Sequence, residues 1–129
     1  MRAIDTNVIV RLLTADDPVQ AEAAQRIVQE GDVFIGMTVL LEVEWVLRAA
    51  YGFGESDIAS AIRSFAGLSQ VTVEEAGAVA QALDWMTKGM DFADALHLAR
   101  SAHCSAFVTF DRKLASKAKG LTPMPVITP

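Results

Sequence analysis

The stretch Arg2-Ala3-Ile4-Asp5-Thr6-Asn7-Val8-Ile9-Val10 opens the chain as a short extended run that ends on an acid and passes at once into a helical pattern. Ligands of open α/β sheets bind outside the carboxyl ends of the strands, so an acid in that position faces the crevice. The pattern recurs outward. Further β-type runs are Val33 to Gly36, Val71 to Val73, Ala106 to Phe110 and Val126 to Thr128. Between them, helical patterns cover Asn7 to Thr14, Pro18 to Glu30, Thr38 to Tyr51, Ser56 to Ala66, Glu74 to Lys88, Phe92 to Ala102 and Asp111 to Lys119. Such alternation predicts a parallel sheet with helices on both faces, an α/β fold. No repeat, linker or low-complexity segment interrupts it, and 129 residues make one domain, 1–129.

Hydrophobic residues make up 52% of the chain and charged residues 21%, the balance of a globular protein. No apolar run approaches the roughly 20 residues of a membrane span. Met1-Arg2-Ala3-Ile4-Asp5 puts an acid where a signal peptide has its apolar stretch, so a cytoplasmic location is expected. Cys104 is the only cysteine and reads as a small buried hydrophobe. The net charge of −5 argues against nucleic-acid binding by bulk electrostatics. A metal and a local basic patch would have to compensate. Arg112, Lys113, Lys117 and Lys119 supply such a patch, or else a solvated helix face.

Four acids carry the chemistry: Asp5, Glu42, Asp94 and Asp111. Asp5 ends the first strand and Asp111 follows the fourth, while Glu42 and Asp94 sit early in the helices that follow strand two and precede strand four. Two carboxylates about 4 Å apart repel by roughly 4 kcal/mol at an effective dielectric near 20, so a shared pocket must take up protons or a cation. All-oxygen ligation favours a hard ion, Mg²⁺ or Mn²⁺, which points to metal-assisted phosphoryl hydrolysis. Each acid also has a plainer role. Asp5 could cap the first helix, although Thr6 and Asn7 are equally placed to do so. Glu42 lies in an apolar stretch where an unpaired charge is costly, or else faces solvent beside Glu44, which reads as the surface acid because Arg48 stands four residues on. Asp91-Phe92-Ala93-Asp94 resembles a capping box with Asp91 as the cap, leaving Asp94 as the better ligand. Asp111 could be an N-cap, and His97 a packing or surface histidine that shares the Asp94 face. Trp85, Met86, Met90 and Phe92 read as core or interface, and no glycine-rich phosphate loop or Ser/His/Asp set exists.

With these positions aligned, the chain resembles the PIN-domain nucleases, and more closely the VapC-type toxins of toxin-antitoxin pairs. The matching segments are Ile4-Asp5-Thr6-Asn7-Val8, Glu42, Asp91-Phe92-Ala93-Asp94-Ala95-Leu96 and Val108-Thr109-Phe110-Asp111, and the likeness runs from Met1 to about Ile127. It implies a three-layer α/β/α domain with a five-stranded parallel sheet of order 3-2-1-4-5. It also implies Mg²⁺- or Mn²⁺-dependent endoribonuclease activity centred on Asp5, Glu42, Asp94 and Asp111, with Asn7 and Thr109 as polar support. Thr6 and Asp91, beside the acids, join them as supporting residues. The implied partners are an RNA substrate, a VapB-like antitoxin and a second copy of the chain. Many relatives carry a further acid where this chain has Lys113, so a single ion is expected in the absence of substrate.

Two rival readings stay open. Asp5-Thr6-Asn7 at a strand end loosely matches the aspartyl-nucleophile motif of phosphatases and phosphotransfer proteins, but Asn7 replaces that motif's second Asp. Alternatively, the acids form a catalytically silent groove that receives a basic peptide.

Overall fold

Twelve elements follow one another in the computed structural model, which describes residues 1–129. They are β1 (Arg2–Ala3), α1 (Thr6–Thr14), α2 (Pro18–Gln29), β2 (Val33–Ile35), α3 (Met37–Ala49), α4 (Glu55–Ala66), β3 (Val71–Val73), α5 (Ala76–Thr87), α6 (Phe92–Arg100), β4 (Phe107–Val108), α7 (Arg112–Ala118) and β5 (Val126–Ile127). Every expected strand and helix is present, within a few residues of its expected ends. The chain condenses into two compact units, Met1–Ala76 and Gly77–Pro129.

In the first unit β1, β2 and β3 form a parallel sheet with β2 at its centre, pairing Ala3 with Phe34 and Phe34 with Thr72. Val33 and Ile35 of the central strand are fully buried, as its position demands. Helix α1 packs on α2 and α3. Its apolar face contributes Ile9 and Val10 to a core that also holds Leu40, Val43, Leu47, Ile58 and Ile62. Burying side chains of this size stabilises by about 1.5–3 kcal/mol each, which outweighs the poor intrinsic stability of helices only nine to thirteen residues long. In the second unit β4 and β5 pair in parallel, Phe107 with Val126 and Val108 with Ile127. Around them Leu83, Met86, Met90, Phe92, Leu96, Leu98 and Leu114 are buried.

Three expectations need correction. The single five-stranded sheet of order 3-2-1-4-5 is replaced by a three-stranded sheet of order 3-2-1 and a two-stranded sheet of β4 and β5. The cause is strand length. β1 and β4 have two residues each; the Arg2 and Ile4 amides donate to Asp32 and Phe34, and the Phe107 and Thr109 amides to Pro125 and Ile127, which leaves few amides for a second neighbour. Apolar pattern alone does not reveal how few amides such a strand has left. Glu44 is not the surface acid: it is 4% exposed and holds a two-pronged ion pair with Arg48, at 2.8 and 3.3 Å. The expected pairing exists, but Arg48 reaches inward to make it. Cys104 is exposed rather than buried, because the bend after α6 that carries it turns it to the surface. No helix is long and apolar enough to cross a membrane.

Candidate active site

In the first unit the site is built where β1 gives way to α1. Asp5 has extended backbone and caps α1, its carboxylate accepting the Thr6 N–H at 2.8 Å. Thr6 is 4% exposed, and its hydroxyl donates to Oε1 of Glu42, one turn into α3. Asp5 and Glu42 are thus both tied to Thr6, the first residue of α1. Glu42 itself is exposed, so the apolar residues around it in sequence do not surround it in space. Asn7, expected to support the site, is exposed in the first turn of α1.

In the second unit Asp91 caps α6 by accepting the Asp94 N–H at 3.2 Å. Asp94 is partly buried in the first turn of the same helix. Burial pushes its carboxyl above the usual range, the charges of Asp91 and Asp111 push it further, and His97 pulls back. Asp111 caps α7, accepting the Leu114 N–H at 3.0 Å, while its own N–H donates to Oγ1 of Thr109 at 3.0 Å. Thr109 therefore orients the backbone of the acid two residues on.

The plainer reading holds for Asp5, Asp91 and Asp111, since each caps the start of a helix. The Thr6–Glu42 bond crosses 36 residues of chain. No local pattern announces it, and only the buried hydroxyl beside the first acid hints at it.

None of Asp5, Glu42, Asp91, Asp94 and Asp111 is in an ion pair with Arg or Lys; the ion pairs involve Glu22, Glu30, Asp16 and Glu44. Within either unit no three Asp, Glu, His or Cys side chains stand close enough to cage a metal ion. A Zn²⁺ site is therefore a poor fit for either unit. Mg²⁺ keeps several waters and is bound through one or two carboxylates plus substrate phosphate, so sparse, unpaired, all-oxygen donors fit it.

A sequence model of the PIN domain family matches residues 3–120, a range that enters both units. Curated proteins yield no match. Among solved structures the chain is similar to Mycobacterium tuberculosis VapC20, described as a toxin that cleaves the sarcin-ricin loop. The identity is 21%, with 90% of this chain and 94% of that chain covered and a TM-score of 0.45. With so much of its length inside the family match, the chain belongs to the PIN domain family, a family of nucleases.

Proposed function

We propose that this protein is a Mg²⁺- or Mn²⁺-dependent endoribonuclease, the toxin of a VapC-type toxin-antitoxin pair, with Asp5, Glu42, Asp94 and Asp111 as its catalytic and metal-binding acids. The observation that carries the reading is Asp94: a carboxyl raised by burial and by two neighbouring carboxylates, with no Arg or Lys in an ion pair with it. A divalent cation supplies acidified water and neutralises charge on the phosphorus oxygens. The protein's own groups do the rest. Thr6 holds Glu42 in place, Asp91 fixes the first turn that carries Asp94, and Thr109 sets the backbone at Asp111. Lys113 stands where relatives place another acid, which favours one resident ion over two.

The partners this reading calls for are an RNA substrate, a small VapB-like antitoxin and a second copy of the chain, all in the cytoplasm. The test is cleavage of RNA by purified protein with Mg²⁺, Mn²⁺ or chelator, for the wild type and for Asp5→Asn. Cleavage is expected only with metal and only from the wild type. Metal-dependent cleavage retained by Asp5→Asn overturns the assignment.

A further inference from the structure

We infer that Lys88, Arg112, Lys113, Lys117 and Lys119 form a phosphate track that grips a single-stranded RNA beside the acids of the second unit. This rests on the nuclease reading and adds the surface that holds the substrate.

The chain has eleven basic residues. Arg2, Arg11, Arg26 and Arg48 are in ion pairs, and Arg63 and Arg100 are engaged as well. The five that remain have no ion-pair partner, and all lie in the second unit. That unit carries six basic residues against four acidic ones, net +2, whereas the first carries five against twelve, net −7. The overall −5 conceals a change of sign along the chain. Opposite charges in the second unit also stay segregated: Asp91, Asp94 and Asp111 are in no ion pair with Arg or Lys, and Lys88, Arg112, Lys113, Lys117 and Lys119 are in no ion pair with Asp or Glu. Segregation leaves the acids free for a metal and the cations free for a polyanion.

Geometry brings the two sets onto one stretch of surface. Gly89 has φ +102, and the Nζ of Lys117 lies 2.9 Å from where a Cβ on Gly89 would be. Gly89 stands two residues before Asp91, the cap of α6, and Lys88 precedes it directly. Asp111, at the other end of α7, is near enough to Asp94 to act on its charge. Helix α7 therefore runs along the α5 to α6 turn with acids at one end and Lys117 at the other. Lys113 shares the Lys117 face, one turn nearer the acids, and all five cations are exposed. An acidic peptide would also meet the cations. A nucleic-acid strand, unlike a peptide, offers regularly spaced phosphates, one for the acids and their cation and the next ones for the lysines.

The test measures binding of a short labelled single-stranded RNA across a salt series, in the Asp5→Asn background so that bound RNA stays intact. Lys113→Gln and Lys117→Gln are combined, with Arg26→Gln as the control. The double variant is expected to bind at least tenfold more weakly at low salt, with a log-log salt slope shallower by about 1.4, at roughly 0.7 per phosphate contact. Arg26→Gln is expected to match its parent. An unchanged slope and affinity overturns the track. So does loss of poly-glutamate binding with RNA binding intact, which would assign the surface to an acidic protein. If the wild type cleaves RNA while the slope stays fixed, the track alone falls. If the wild type binds RNA with the expected slope yet cleaves none with either metal, the nuclease reading falls and the track stands.

Discussion

Asp5, Asp91 and Asp111 each accept a backbone N–H at the start of a helix, and Asp5 and Asp111 are also proposed to bind the cation. Substitution can separate the two duties. Asparagine keeps the acceptor and removes the charge, whereas alanine removes both. Asp111→Asn should therefore lose cleavage with stability nearly unchanged, and Asp111→Ala should lose cleavage and about 1 kcal/mol in a urea melt. Thr6→Val frees Glu42 without touching any acid, and a loss of roughly 10- to 100-fold in metal affinity is expected, as for partners that orient ligands elsewhere. Asp94 gives a pH signature. Its carboxyl titrates above 3.8 in the folded state, so the folded chain holds the proton to higher pH than the unfolded chain. Stability without metal thus falls as pH rises from the ordinary value through the raised one. Asp94→Asn should melt higher than wild type at neutral pH in chelator, with the gap closing as pH drops toward 4. If the helix N-terminus dominated instead, the variant would melt lower.

At the scale of elements, two turns hold the frame. The first joins α1 to α2, where Tyr51 donates to Asp16 at 2.5 Å and Arg11 reaches Asp16, Gln20 and Tyr51. The Tyr51 hydroxyl is the main cause of the lowered Asp16 carboxyl. Tyr51→Phe should move that titration back up, as read by NMR across the acid range. The second is the α5 to α6 turn, where Gly89→Ala meets both a left-handed backbone and the Lys117 Nζ. A cost of about 1–2 kcal/mol is expected. Gly89 was legible as a helix stop, and so was every element, because periodicity and caps are local. The ladder between strands was not, since a two-residue strand leaves its neighbours to be decided by chain packing rather than by its own pattern. Glu44 failed for the same kind of reason. Its Arg48 partner at i+4 was visible, but the burial of that helix face depends on what packs over it.

Across the whole molecule, charge is the organising quantity. Twelve of the sixteen acids lie in Met1–Ala76, while every unpaired cation lies in Gly77–Pro129. Sequence showed the four candidate acids and the α7 lysines, but not which charges would go unneutralised. That depends on side chains distant in sequence. The account predicts that a divalent ion stabilises the folded chain through Asp5, Glu42, Asp94 and Asp111. The decisive measurement is thermal melting across a Mn²⁺ titration, for the wild type and for a variant with all four acids replaced by their amides. A melting temperature that climbs with the logarithm of ion concentration in the wild type and stays flat in the variant is the predicted result. Equal stabilisation of both proteins, or none of the wild type, would contradict it.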